Sequence, residues 1–173
     1  DELLDELKTE AASQLMIEND TLIIKHLFIE RRLEPLNLFL NRCSGEELEE
    51  ALCEYGNAIR EIAAAGLFPG DLMLKNFGYT RHGRVIFYDY DEVMSIGECK
   101  FRKIPPPRYP EDELAAEAWY SIDPNDIFPE EFVTFLVTAP EQKEIFTRLH
   151  ADLFHVDYWQ KLQQTVANNE FPE

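Results

Sequence analysis

The stretch LFPGDLMLKNFGYTRHGRVIFYDYDEV, residues 67–93, decides how this chain is read. Two short apolar runs, Phe77–Tyr79 and Val85–Tyr88, flank Arg81-His82-Gly83-Arg84. A glycine-containing turn between β-prone runs predicts an antiparallel hairpin. Ahead of it, residues 67–76 keep neither a helical nor a strand period and are expected to be irregular. The polar groups gather at both ends of the hairpin: Gly70-Asp71 and Lys75-Asn76 before it, Asp89-Tyr90-Asp91 after it. The hairpin would fold the second acidic group back over the first.

Working outward, the pattern is mainly helical. Ser44 with Glu47 forms a capping-box signature for a long helix carrying Leu48, Leu52, Tyr55, Ile59 and Ile62 on one face, with Gly66 as its stop. Pro35 suits the first turn of a short helix over Leu36 to Leu40. Leu3, Leu4, Leu7, Ala11, Leu15 and Met16 predict an amphipathic helix over 2–16, and the β-branched run Thr21 to Ile29 predicts a buried strand. Residues 100–112, KFRKIPPPRYPED, are expected to form no regular structure, because four prolines remove donors and fix φ. Helices are expected near 111–118, 129–137, 140–150 and 155–167. The fold class is therefore mainly α with a small β-hairpin, an α+β chain.

The chain has 173 residues, 34 acidic and 16 basic, for a net charge of −18 and a pI near 4.5. With 45% hydrophobic and 12% aromatic residues it can bury a genuine core. Such negative charge opposes nucleic-acid backbones and anionic membrane surfaces, so no nucleic-acid or membrane partner is expected. The charge is uneven: −8 over residues 1–60, +1 over 61–110 and −11 over 111–173. A site that accepts phosphates would need the relief found in the middle. Cys43, Cys53 and Cys99 fit neither a disulfide framework nor a zinc knuckle and are expected to be reduced thiols. No apolar run approaches the ~18 residues of a membrane span. The first residue is Asp and not Met, so a piece of a longer protein is expected.

An Asp, an Asn five residues later, a hairpin, and an Asp ending an apolar strand resemble the catalytic and metal-binding loops of protein kinases. Phosphoryl transfer needs a carboxylate near the attacking hydroxyl, which Asp71 would supply, and oxygen ligands for Mg²⁺, which Asn76 and Asp89 would supply. Lys75 could neutralise charge on the transferred group. On the residues alone each position has a plainer alternative: Asp71 as a turn residue after Pro69-Gly70, Asp91 as a solvated neighbour of Asp89, Lys75 as an exposed loop cation. A second reading takes Asp89-Tyr90-Asp91-Glu92-Val93 as the D-x-D-x-V motif of haloacid-dehalogenase-type phosphatases. That fold should continue with alternating strands and helices, whereas a triple-proline loop and helices follow here. His26, His82, His150 and His155 lack metal-site spacing, and no hydrolase elbow is present.

Longer stretches carry a more specific resemblance: His26 through Arg32 with Pro35-Leu36-Asn37, Glu54 through Ile59, Phe68 through Gly78, Thr80 through Val85, Phe87 through Glu92, and Ile104-Pro105-Pro106-Pro107-Arg108-Tyr109-Pro110 through Leu114. Phe128 through Phe132 and His150 through Phe154 belong with them. Together they resemble the bacterial isocitrate dehydrogenase kinase/phosphatase family. The resemblance implies a cytoplasmic enzyme that phosphorylates a serine of isocitrate dehydrogenase and also removes that phosphate, which switches carbon between the citric acid cycle and the glyoxylate bypass. ATP and Mg²⁺ or Mn²⁺ are the implied cofactors, and isocitrate dehydrogenase the implied partner. Family roles fall on Asp71 as catalytic carboxylate, Lys75 and Asn76 as phosphate and metal partners, Asp89 as metal ligand, and Asp91 as an acidic group serving phosphate removal. Glu30 and Arg31 would belong to the hinge whose backbone meets adenine.

The resemblance further implies a protein-kinase-like C-lobe, with residues 1–30 as the end of the N-lobe and hinge strand. Residues 31–173 would form the C-lobe, with a catalytic loop at 69–78, a metal loop at 89–91 and the proline-rich loop at 100–112. The glycine-rich loop, the nucleotide-binding lysine and the regulatory domain have no counterpart in these residues, so the isolated chain is expected to have little activity. A non-enzymatic alternative is a docking module that presents the acidic helices after residue 111.

Overall fold

A computed structural model describes residues 2–19, 21–25, 32–107, 109 and 119–168. It divides into two compact units, 1–32 and 33–173.

The first unit contains helix α1 (Glu2–Glu10), a 3₁₀ turn (Ala12–Gln14) and strands β1 (Leu15–Glu18) and β2 (Thr21–Ile24). The expected helix over 2–16 thus ends at Glu10, and Leu15 and Met16 lie in a strand. β1 pairs antiparallel with β2, Leu15 opposite Ile24 and Glu18 opposite Thr21, with Asn19 at φ 54° in the turn. Apolar residues at 11, 15 and 16 fit a helix face as well as a strand, and pairing with the β-branched Thr21-Leu22-Ile23-Ile24 decides between them. Of the buried strand expected over 21–29, residues 21–24 are seen but none is buried, Thr21 and Ile24 being exposed and Leu22 and Ile23 half-buried, because among the described residues the two-stranded ladder has no second layer to cover it; residues 26–31, with Glu30 and Arg31, lie outside the described residues.

The second unit is built around helix α3 (Gly45–Ala64), which follows a two-residue strand β3 (Glu34–Pro35) and helix α2 (Leu36–Arg42). Leu48, Ala51, Leu52, Tyr55, Ile59 and Ala63 of α3 are buried, the recurrence of an amphipathic helix whose face enters a core. Ser44 occupies the N-cap position, but its hydroxyl accepts no helix N–H, so the expected capping box does not close. Gly66, at φ 84°, ends the helix as expected in a conformation that costs other residues a Cβ clash.

After α3 come β4 (Leu67–Pro69), a 3₁₀ turn (Leu74–Asn76), β5 (Phe77–Tyr79), β6 (Val85–Phe87), β7 (Val93–Ser95) and β8 (Lys100–Phe101). The hairpin forms as predicted, Phe77 opposite Phe87 and Tyr79 opposite Val85, and β3 adds to its edge. Two short ladders contradict the expectation of irregular chain. β4 pairs antiparallel with β7, and Lys100–Phe101 pairs parallel with β9 (Asp126–Ile127). Neither is long enough to show a period of two, and the partners lie far apart in sequence. Residues 102–107 are irregular as expected, while residues 110–118, where a helix was expected, lie outside the described residues.

The remainder is helical: a 3₁₀ turn (Pro129–Glu131) running into α4 (Phe132–Phe135), α5 (Pro140–Leu149), a 3₁₀ turn (Ala151–Phe154) and α6 (Val156–Ala167). Trp159 of α6 is wholly buried, stacks on Phe101 at 5.1 Å and meets Phe68 and Phe132 edge-on. Cys43, Cys53 and Cys99 are free. No helix among the described residues is long and apolar enough to cross a membrane.

α5 and the turn after it hold α3 through His150, buried against Gly56. The Arg60 guanidinium, which can only donate, lies 2.7 Å from His150 Nδ1, so Nε2 carries the proton and donates to the Leu52 carbonyl at 3.1 Å. Burial, helped by the Arg60 charge, holds the imidazole below its ordinary pKa and neutral. Arg60 also pairs with Asp152 at 2.6 Å.

A Cβ on Gly56 would lie 2.4 Å from the His150 ring. Helix propensity alone favours Gly56→Ala by about 0.5–1 kcal/mol. Overpacking against a ring bonded at both nitrogens costs about 1–3 kcal/mol. Packing wins, and Gly56→Ala is expected to lower the midpoint of a urea melt; an unchanged or higher midpoint would mean that His150 moves aside.

Candidate functional site

The loop between β4 and β5 carries the first half of the site. Phe68 and Pro69 are buried, which fixes the chain entering Gly70. The Gly70 N–H donates to the Glu92 carbonyl at 2.8 Å, one step beyond the β4–β7 ladder. A side chain at Gly70 would press a Cβ to 2.9 Å from that carbonyl, so glycine permits this approach. Asp71 then turns on itself, its Oδ1 accepting the Met73 N–H at 2.9 Å. Leu72 is buried, and its carbonyl accepts the Tyr55 hydroxyl from the core.

Asn76 is nearly inaccessible, and its Nδ2 donates to the Asp71 carbonyl at 3.1 Å. The hairpin brings the second half back over this loop. Beyond Phe87 the ladder continues, with the Tyr88 N–H donating to the Asn76 carbonyl at 3.1 Å and the Tyr88 hydroxyl to the Lys75 carbonyl. Asp89 follows at once. Gly70, Asp71, Lys75, Asn76, Asp89, Asp91 and Glu92 line one cleft of about 200 Å³. Asp71, Lys75, Asn76, Asp89 and Asp91, each singled out in the sequence, are therefore brought together.

Four carboxylates and one ammonium line this cleft. Partial burial pushes the Asp71 carboxyl up, but the Met73 N–H, the Asn76 amide and the Lys75 ammonium outweigh it and hold it below the ordinary carboxylate range. Lys75 Nζ stands 3.4 Å from Asp71 Oδ2 and is mostly exposed. Tyr55 is pushed far the other way, by burial first and then by the Asp71 charge, so its hydroxyl stays a donor.

Among the described residues, the relief expected from the neutral middle of the chain reaches the cleft lining through Lys75 alone. Arg84 pairs with Glu54 and Glu61 on α3, Lys100 with Asp123, Arg102 with Asp126, and Lys103 with Asp157. Lys75 is the base that lines the cleft among the described residues.

Among the described residues no group of three or more His, Cys, Asp or Glu comes together as a self-sufficient metal site. The donor chemistry nevertheless suits a hard cation. With Nδ2 of Asn76 committed to Asp71, the remaining polar atom of that amide is an oxygen, and the half-buried Asp89 adds a carboxylate to the same cleft. Two protein oxygens completed by phosphate and water is the coordination Mg²⁺ favours.

Sequence reasoning places Gly70 beside Asp71 without giving it a task, and misses Tyr88 and Glu92 as parts of the site. Glu92 matters through its carbonyl, which any residue type supplies. In the sequence Tyr88 ends an apolar strand; its place directly before Asp89 is the available signal.

The family model of the isocitrate dehydrogenase kinase/phosphatase (AceK) kinase domain matches residues 1–173. The chain is 55% identical over 167 residues to the isocitrate dehydrogenase kinase/phosphatase of Yersinia enterocolitica serotype O:8 / biotype 1B, covering 96% of this chain and 29% of that protein. It is 56% identical over 172 residues to the protein of that name from Pectobacterium carotovorum subsp. carotovorum, covering 99% and 29%. With the Klebsiella pneumoniae protein it shares 55% over 166 residues, 96% of this chain and 28% of the relative. The chain thus spans less than a third of the length of these relatives. By the match along its whole length and by these identities, the chain belongs to the isocitrate dehydrogenase kinase/phosphatase family.

Proposed function

We propose that this chain is the kinase-like C-lobe, with the end of the N-lobe, of an enzyme that transfers phosphate from ATP to a serine of isocitrate dehydrogenase and also removes it. The enzyme would act where the citric acid cycle and the glyoxylate bypass divide. The observation that carries this reading is the convergence of Asp71, Lys75, Asn76, Asp89 and Asp91 on one cleft in a chain of this family. The haloacid-dehalogenase-type alternative leaves Asp71 and Asn76 without a task. Its motif also follows a strand whose partner is antiparallel, within a hairpin.

Asp71 is the group that meets the substrate hydroxyl. Its Oδ1 is engaged by the Met73 N–H, so Oδ2, facing the exposed Lys75, is the oxygen that orients the serine and receives its proton. A carboxylate held below its ordinary pKa is a weak base, which suits a transition state in which the proton leaves late. Asn76 Oδ1 and Asp89 would hold Mg²⁺ or Mn²⁺, which supplies positive charge to the nucleotide phosphates. Lys75, released from Asp71, would stabilise charge on the transferred group. Asp91, exposed at the rim, would orient water for phosphate removal. Glu30 and Arg31, outside the described residues, keep the proposed place beside adenine.

In the full-length protein, Asp71→Asn is expected to lower phosphotransfer to isocitrate dehydrogenase by about 10²–10⁴-fold. Asp91→Asn should reduce phosphate release more than phosphotransfer. Equal loss of both activities would remove the distinct role of Asp91, and full phosphotransfer by Asp71→Asn would remove the reading itself.

Asn76→Ala and Asp89→Ala are expected to raise the Mg²⁺ concentration for half-maximal rate by about tenfold or more, readable as a shift in metal titrations. An unmoved titration would place the metal elsewhere.

The isolated chain should show almost no ATP-dependent phosphotransfer when assayed beside the full-length enzyme, since much of the phosphate cradle is supplied by other residues. Turnover comparable to full length would contradict this.

A further inference from the structure

We propose that Tyr55 is a positioning residue that sets the span between Asp71 and Asn76. The proposal rests on the roles given above to those two residues. Tyr55 lies on α3, fully buried, and reaches the catalytic loop from beneath. Its hydroxyl donates to the Leu72 carbonyl at 2.5 Å, one residue past Asp71. Its ring meets the edge of Phe77 at a centroid distance of 4.9 Å and an angle of 81°, one residue past Asn76. One rigid side chain on one helix thus grips the backbone carbonyl directly after the carboxylate and the side chain directly after the amide.

The grip has little slack. Phe146 of α5 also packs against the Tyr55 ring, at 5.1 Å, and Phe77 is itself wholly buried. Among the described residues no backbone N–H donates to the Leu72 carbonyl, which lies inside the core, so the Tyr55 hydroxyl is what satisfies it. Without that donor the carbonyl would turn towards water and carry the neighbouring Asp71 with it. A displacement on the order of 1 Å at a reacting group is enough to cost about a hundredfold in rate.

The two contacts are separable. Removing only the hydroxyl frees the Asp71 end and leaves the ring on Phe77. Shortening Phe77 loosens the Asn76 end and leaves the hydrogen bond. In the full-length protein, Tyr55→Phe is expected to lower kcat for phosphotransfer to isocitrate dehydrogenase by about ten- to a hundredfold, with KM for ATP and the Mg²⁺ activation constant within about twofold. Replacing Tyr55 by 4-aminophenylalanine, which returns a donor to the same place, should restore kcat to within about threefold. Phe77→Leu should give the opposite split, raising the Mg²⁺ activation constant several-fold while kcat at saturating Mg²⁺ falls less than in Tyr55→Phe.

Wild-type kcat in Tyr55→Phe overturns the proposal. So does a loss that disappears once rates are divided by the folded fraction read from a melt. Asp71→Asn, assayed alongside, separates the two ways of failing. If it keeps full kcat, the role of Asp71 falls; if it is inactive while Tyr55→Phe is unimpaired, only the role of Tyr55 falls.

Discussion

A three-residue ladder between Leu67–Pro69 and Val93–Ser95, extended by the Gly70 N–H to the Glu92 carbonyl, holds the two ends of the cleft-forming loop together. It brings Gly70 and Glu92, the neighbours of Asp71 and Asp91, into contact. Within the loop the hairpin of residues 77–79 and 85–87 adds a second closure, and Tyr88 adds a third by bonding the Lys75 and Asn76 carbonyls. Each closure is short and weak alone. They persist because Phe68, Phe77 and Phe87 on the same segments are buried, so opening one ladder exposes an aromatic side chain.

Electrostatics place a second constraint on the cleft. Its lining is acidic although the surrounding residues 61–110 are balanced, and Arg84, Lys100 and Lys103 of that region pair with carboxylates elsewhere. These exposed pairs add little stability, about 0–1 kcal/mol each. Their larger effect is spatial, since they leave Lys75 facing four carboxylates. Such a cleft suits a cation more than a bare phosphate.

Much of this was legible in the chain. The long helix ending at Gly66, the hairpin around Gly83 and the helix starting at Pro140 each carried local signals that agreed with one another. Where a segment had no such agreement, reading failed. Leu15 and Met16 fitted both periods, and the partner strand settled the matter. Leu67–Pro69, Val93–Ser95 and Lys100–Phe101 were too short to reveal a period, and their partners lie too far away for local rules to find. The capping box at Ser44 had the right residues and still did not close, because a side-chain oxygen must also point at the helix N–H groups.

The sequence by itself determined which residues could do chemistry: an Asp and an Asn five apart, a hairpin, then Asp-x-Asp, and a family resemblance along most of the chain. Tertiary structure alone decided their convergence. It set Tyr55 under both ends of the loop, turned the Asn76 amide so that its oxygen is left for a ligand, and stripped the cleft of all lining bases but Lys75 among the described residues. The reason is physical. Side-chain identity is a property of one position, whereas convergence depends on backbone carbonyls and buried rings contributed by segments distant in sequence, and any residue type can supply a carbonyl.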